Sequence, residues 1–223
     1  MNRQRPLLLG HRGARATVSV PENTLASFDL CLEHGCDGFE FDVRRTRDGV
    51  PVVCHDASFR GLSLSGARAH DLAAWQAGGF LPSLEQVLGR YSPLCFLDIE
   101  IKDAGLEPQV LELLRQHPPR HGYVVTSFLP EVLSRLCQLD PRVEVGFLWE
   151  RSAADWRSQP TQWALAEGRL LDNSLASALK AAGKRIGAWT VNDPADMLRF
   201  SALGAEMLIS DDTVRLVNTF SVG

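Results

Sequence analysis

The chain has 223 residues, 45% of them hydrophobic and 22% charged, which is enough apolar material for a sizeable core and too much for a disordered protein. A net charge of −4 with no long basic run argues against a nucleic-acid partner, and no apolar run reaches the length of a membrane span. The five cysteines (Cys31, Cys36, Cys54, Cys95 and Cys137) are odd in number and contain no C-x-x-C pair, so they read as reduced core residues of a cytosolic protein. The N-terminus reaches polar residues by position 11, unlike a secretory signal.

Leu7-Leu8-Leu9-Gly10 reads as a buried strand with His11-Arg12-Gly13 at its C-terminal tip. After a loop over 14–20, Pro21-Glu22-Asn23-Thr24 starts a helix, with Asn23 as N-cap, Leu25, Phe28 and Leu32 on the apolar face, and Gly35 as terminator. In 38–43, Phe39, Phe41 and Val43 alternate with Gly38, Glu40 and Asp42. A period of two sets both carboxylates on one face of a strand. Buried carboxylates need a positive partner, either a cation or an Arg or Lys from a neighbouring element. Thr46-Arg47-Asp48-Gly49 is a turn, and Val50–Cys54 an extended arm ending at His55-Asp56.

Residues 57–82 read as a surface excursion with one short helix around 71–76. Ser83 and Gln86 form a capping box for the next helix. In the strand 95–101, Asp98, Glu100 and the following Lys102 share one face, which suggests an Asp98–Lys102 pair. The remaining pattern predicts helices at 107–117, 130–138, 173–182 and from Pro194 to Leu203, strands at 123–126, 143–148, 163–166, 185–191 and 207–209, a weakly helical 152–161, and a helix from Thr213.

Strands alternating with helices imply parallel strands and right-handed crossovers. With the 50–54 arm set aside, eight strands remain, as in a (β/α)₈ TIM barrel formed by one domain over residues 1–223. A doubly wound open sheet would show continuous apolar strands and a single switch-point site. Here polar groups stand near the ends of several strands, which favours the barrel.

In a barrel, His11, Arg12, Glu40, Asp42, His55, Glu100, Lys102, Ser127, Trp189 and Asn192 converge at one mouth. Glu40, Asp42 and Glu100 offer hard oxygen ligands suited to one divalent cation, Mg²⁺ or Ca²⁺. Arg12 and Lys102 balance a phosphate charge, and His11 and His55 pass protons. The set suits phosphodiester cleavage. Taken singly, each histidine is more often structural than catalytic, Trp189 is as readily core as ligand platform, and Asp211-Asp212 reads as a helix cap.

His11-Arg12-Gly13, Pro21-Glu22-Asn23-Thr24, Glu40-x-Asp42, Asp48-Gly49, His55-Asp56, Glu100-x-Lys102, Trp189-Thr190-Val191-Asn192 and Gly204…Ser210-Asp211 occur in the order of the glycerophosphodiester phosphodiesterase family, which the chain resembles from residue 7 to about 212. The resemblance implies a TIM-barrel hydrolase that releases an alcohol and sn-glycerol 3-phosphate from a small-molecule glycerophosphodiester. It further implies metal ligation by Glu40, Asp42 and Glu100, catalysis by His11 and His55, and substrate contacts from Arg12, Lys102 and Trp189. The 57–82 segment is shorter than the family's usual insertion and the 14–20 link longer, which leaves the headgroup open. The oligomeric state is open as well. Two other functions fit a related barrel: a phospholipase-type enzyme acting on lipid phosphodiesters, and a catalytically inactive binder of phosphate esters.

Overall fold

Alternation along each wall strand decides which side chains fill the barrel and which meet the helices. The computed structural model describes residues 5–151 and 155–221. β1 (Leu7–His11) leads to α1 (Leu25–Glu33), β2 (Gly38–Arg45) and the short β3 (Pro51–Val53). A ribbon of β4 (Ser58–Phe59) and β5 (Leu62–Ser63) and a short α2 (Ala73–Ala77) come next. Then follow α3 (Leu84–Tyr91), β6 (Phe96–Ile101), α4 (Glu107–Gln116), β7 (Tyr123–Ser127), α5 (Pro130–Leu139), β8 (Val145–Trp149) and β9 (Trp163–Glu167). The chain ends with α6 (Asn173–Ala181), β10 (Arg185–Trp189), α7 (Pro194–Ala202), β11 (Met207–Ser210) and α8 (Thr213–Ser221).

Parallel pairing runs β1–β2–β6–β7–β8–β9–β10–β11 and returns to β1, so eight strands close into the predicted (β/α)₈ barrel. β3 pairs antiparallel with the end of β2 and stays outside the ring. Closure leaves the wall strands without a free edge.

The outward face of β2 and β6 (Phe39, Phe41, Val43, Leu97, Ile99, Ile101) packs with Phe28, Leu84, Val87 and Leu88 from the helix layer. Phe28 stacks on Phe39 with ring centroids 4.1 Å apart, and Tyr91 meets Phe39 edge-on at 5.0 Å. Phe39→Ala would empty a fully buried site, a class of change that costs about 3–5 kcal/mol. The inward face holds a second apolar cluster that includes Leu9, Phe96, Val124, Leu148, Trp163, Leu165, Met207 and Ile209. In β6 the inward parity is Phe96, Asp98, Glu100, so an apolar plug lies beneath a polar layer.

Several local expectations are corrected. The N-cap of α1 is Thr24, whose hydroxyl accepts from Ser27 N, and not Asn23, which has a left-handed φ of 57° and turns inward. The fully buried face of α1 is Ser27, Phe28 and Cys31, with Leu25 and Leu32 at its margins, because the stripe facing the barrel starts at the cap. The strand expected over 185–191 ends at Trp189. Of the expected weak helix 152–161, residues 152–154 lie outside the described residues and 155–161 hold a turn at 156–157 and no helix. The excursion over 57–82 has its own small core of Leu64, Ala67, Leu72 and Leu81 on Val52 of β3. The capping box on α3 is present: Ser83 N donates to Gln86 Oε1 at 2.9 Å and Gln86 N to Ser83 Oγ at 3.2 Å. All five cysteines are free, and no helix among the described residues is long and apolar enough to cross a membrane.

Candidate active site at the C-terminal mouth of the barrel

Glu40 and Asp42 on β2 point inward, and the β2–β6 register sets Asp42 opposite Glu100. One ligand oxygen from each of Glu40, Asp42 and Glu100 lies within 4.8 Å of the other two. All three side chains are buried. Glu40 Oε1 has no hydrogen-bond partner among the described residues, whereas Asp42 Oδ1 and Glu100 Oε1 lie against the Lys102 ammonium. Lys102 Nζ lies 3.0 Å from Asp42 Oδ1 and 2.7 Å from Glu100 Oε1 as an ion pair, and Arg12 Nε lies 3.3 Å from Asp42 Oδ2.

Three carboxylates face two cations, and their ionisation reflects the imbalance. Burial, then the charges of Asp42 and Glu100, pushes Glu40 well above the carboxylate range. Burial likewise pushes Glu100 up to about 7, against the pull of Lys102. Burial also presses on Asp42, but Lys102, Arg12 and Asn23 outweigh it and hold that carboxyl low. One pleat deeper, Asp98 accepts from Thr126 Oγ1 at 2.7 Å, and burial lifts it to about 8. The expected Asp98–Lys102 pair is not made, because Lys102 serves the upper layer instead.

The last residue of β1 and the loop after it carry His11 and Arg12 into this layer. Arg12 adopts a left-handed φ of 55°, which turns its backbone N–H onto Glu40 Oε2 at 3.0 Å. Gly13 follows at φ 84°, where a Cβ would sit 2.4 Å from Ser27 Oγ, so only glycine fits. The Arg12 guanidinium donates to Glu22 at 2.8 Å. His11 is buried, with Nε2 3.9 Å from Glu40 Oε2 and Nδ1 2.7 Å from Asp211 Oδ1. Burial lowers its pKa, and the Asp211 bond only partly restores it. His55 is half-exposed at the rim, with its Nδ1 2.9 Å from Asp56; its carbonyl accepts from Arg44 Nε at 2.7 Å.

A cleft of about 350 Å³ is lined by His11, Arg12, Glu40, His55, Glu100 and Lys102, with an apolar wall that includes Phe128, Leu148 and Trp189. Trp189 is half-buried, meets Phe128 edge-on at 5.3 Å, and donates from Nε1 to Leu165 O at 3.0 Å. Asp42 is not in the lining; it is buried at the level of Glu100, against Arg12 and Lys102. The structure therefore gathers seven of the eight sequence-derived site residues around the cleft, with Asp42 in contact with two of them. Ser127, grouped with them in the sequence, instead donates to Ile101 O and is fully buried. Asn192 stands one step back, bonded to Asp211 and Ser210.

Four participants escaped the sequence reading. Asn23 donates from Nδ2 to Asp42 Oδ2 at 2.7 Å and accepts from Asp42 N at 3.3 Å. Glu22 receives both Arg12 and Arg15. Asp211, read as part of a cap, holds His11 and Arg15, and only Asp212 caps α8 by accepting from Arg215 N. Glu150 lines the cleft from the segment after β8. The signal for the first three lay in the Pro21–Thr24 and Ser210-Asp211 motifs, which carry no periodicity of their own.

Fold and mouth together define a barrel enzyme whose acid–base groups and cations surround one polar cleft. The model of the glycerophosphoryl diester phosphodiesterase family matches residues 11–76 and 109–215, and the chain belongs to that family. It is similar to a Mycobacterium tuberculosis protein named "Probable glycerophosphodiester phosphodiesterase 1", at 55% identity over 79% of this chain and 70% of that one. It is also similar to a glycerophosphodiester phosphodiesterase of Caldanaerobacter subterraneus, at 27% identity over 97% of this chain and 98% of the relative. Among solved structures, an Oleispira antarctica phosphodiesterase in complex with the product sn-glycerol-3-phosphate superimposes with a TM-score of 0.82 at 25% identity, covering 96% of both chains.

Proposed function

We propose that this chain works as one barrel domain that hydrolyses small glycerophosphodiesters to an alcohol and sn-glycerol 3-phosphate, with a divalent cation held by Glu40, Asp42 and Glu100. The observation that carries the reading is the trio of buried carboxylates that each bring one oxygen within 4.8 Å of the others, beside Arg12 and Lys102 in the His11/His55 cleft, with Glu40 Oε1 lacking a hydrogen-bond partner among the described residues. Once ionised around a bound cation, three carboxylates against Arg12 and Lys102 would leave one excess negative charge, a donor set that fits a hard divalent ion. A bound Mg²⁺ or Ca²⁺ would supply Lewis-acid stabilisation of the oxygen charge that develops on the phosphoryl group.

The residues themselves bind, orient and move protons. Arg12 and Lys102 present guanidinium and ammonium donors to the phosphoryl oxygens. Phe128, Leu148 and Trp189 give the substrate an apolar wall and keep water from that side. His11 and His55 act as an acid–base pair: one protonates the leaving alkoxide while the other takes a proton from the nucleophile. The nucleophile is water or the glycerol hydroxyl next to the phosphate, the latter giving a cyclic phosphate that water opens. Five free thiols fit a reducing, cytoplasmic setting.

The test is a turnover assay on glycerophosphocholine and glycerophosphoethanolamine, with a lipid phosphodiester alongside. It is run after exhaustive chelation and after Mg²⁺ or Ca²⁺ is added back. The expected result is metal-restored cleavage of the two water-soluble diesters and little of the lipid. Full activity after chelation would overturn the metal assignment, and exclusive cleavage of the lipid would overturn the substrate class. A diester lacking the hydroxyl next to the phosphate should be nearly inert if that hydroxyl attacks; unchanged cleavage of it, normally bound, assigns the attack to water.

A further inference from the structure

His11 has two ring nitrogens with different neighbours. Nε2 faces the cleft near Glu40, and Nδ1 points away from it onto Asp211 Oδ1 at 2.7 Å. Asp211 is itself held on every side. Arg15 Nη1 donates to Oδ1 at 2.9 Å and Asn192 Nδ2 to Oδ2 at 2.9 Å. The Asp211 backbone N–H donates to Asn192 Oδ1 at 2.9 Å, and its carbonyl accepts from Ala16 N at 3.0 Å. Ser210 Oγ donates to the same Asn192 oxygen at 2.9 Å, which fixes the orientation of that amide. Arg15 is clamped in turn, Nε donating to Glu22 Oε2 at 2.6 Å, while Glu22 Oε1 takes Arg12.

This network has one chemical consequence. A carboxylate ionised beside an arginine has no proton to give, so the 2.7 Å contact requires the proton on Nδ1 of the imidazole. Free neutral imidazole carries no such constraint. The neutral ring in this site therefore has its lone pair on Nε2, aimed at the cleft.

We propose that Asp211, locked by Arg15 and Asn192, is a positioning residue that fixes the Nδ1–H tautomer and the ring plane of His11, so that Nε2 is the nitrogen that exchanges protons in the reaction. Its logic is that of a carboxylate buried behind a catalytic imidazole, reached here through the turn between β11 and α8. Arg15 lies in the 14–20 link and joins this support to the cation side, since Glu22 couples Arg15 to Arg12. The kinetic part rests on the phosphodiesterase reading, whereas the tautomer part does not.

The experiment uses the full-length protein labelled with ¹⁵N-histidine, His11 being assigned by the signals that vanish in His11→Gln. Expected in the wild type at a pH where the ring is neutral is a protonated Nδ1 and an unprotonated Nε2. Asp211→Ala should release the ring toward the Nε2–H form and lower kcat on glycerophosphocholine by about 10²–10⁴-fold, with KM changed less than about threefold. Asp211→Asn keeps the shape but not the acceptor pair. Its NH₂ would face either the Nδ1–H and Arg15 donors or the fixed Asn192 NH₂, so it should also lose the wild-type tautomer and most of kcat. An Nε2–H tautomer in the wild type overturns the proposal, and that measurement needs no variant to fold. So does a folded Asp211→Ala with an unchanged tautomer, with kcat near wild type, or with its loss confined to KM. A wild type inert on every diester, yet showing the Nδ1–H tautomer lost in Asp211→Ala, would remove the phosphodiesterase reading and leave the positioning of His11 supported.

Discussion

Asn23→Ala separates the support of the carboxylate layer from the layer itself. Asn23 is buried, makes two hydrogen bonds to Asp42, and sits at φ 57°. Its Nδ2 donates to a buried carboxylate, a class worth about 1.5–3 kcal/mol, and losing the partner of the Asp42 N–H costs about 1–3 kcal/mol more at this burial. Placing alanine in the left-handed region adds about 1–2 kcal/mol. The backbone part is removed by Asn23→Gly, which takes that φ without strain. Urea unfolding of wild type, Asn23→Ala and Asn23→Gly should give Asn23→Ala about 3.5–8 kcal/mol less stable than wild type and Asn23→Gly intermediate. Calorimetric titration with Mg²⁺ or Ca²⁺ should show affinity reduced about 10–100-fold in both variants, the range typical of lost outer-shell partners. If Asn23→Ala unfolds within about 1 kcal/mol of wild type and binds the ion equally well, Asn23 neither holds Asp42 nor belongs to the site.

Three further outcomes are expected. Glu40→Gln and Glu100→Gln should each remove most turnover while circular dichroism and unfolding show a folded protein, since each relieves repulsion within an over-anionic cluster; wild-type turnover in either refutes the ligand set. Burial pushes Asp211 up, but bonds from His11, Arg15 and Asn192 win and hold it below the ordinary range. That depression contributes stability above the ordinary carboxylate pKa and is lost as pH falls through the folded value, so the stability gap between wild type and Asp211→Asn should narrow from pH 6 toward pH 2; a constant gap refutes it. Burial lifts the Cys95 thiol to about 12, and a hydrogen bond with Cys36 together with burial raises Cys31, so neither should react with a disulfide reagent at pH 8 until the protein is unfolded.

The barrel was legible because each wall strand announces itself by alternation or by an apolar run, and all eight were placed within two residues at their N-terminal ends. The primary kit was legible for the same reason: strand parity sends Glu40, Asp42 and Glu100 to one side, and His11, His55 and Lys102 follow strand ends. The supporting residues were not, because turns obey no period. Asn23 and Asp211 have the chemistry of caps, and their neighbours Thr24 and Asp212 took those roles, which freed the first two for the mouth. The mistaken Asp98–Lys102 pair has a related origin. Parity gives the face of a strand but not the depth along it, and Asp98 lies one pleat below the layer that Lys102 serves.

The small core carried by β3 has a consequence for how the enzyme breathes. Leu64, Ala67, Leu72 and Leu81 pack on Val52 and on one another, apart from the main cluster, so the excursion can open as a cooperative unit while the ring stays shut. His55 precedes this unit and its carbonyl accepts from Arg44 of β2, whereas His11 ends a ring strand. The two imidazoles proposed to share one reaction thus differ in how near they stand to the separate unit. Native-state hydrogen exchange should find residues 57–81 opening at a lower free energy than β1 and β2, so the His55 side of the cleft borders the part of the molecule that opens first.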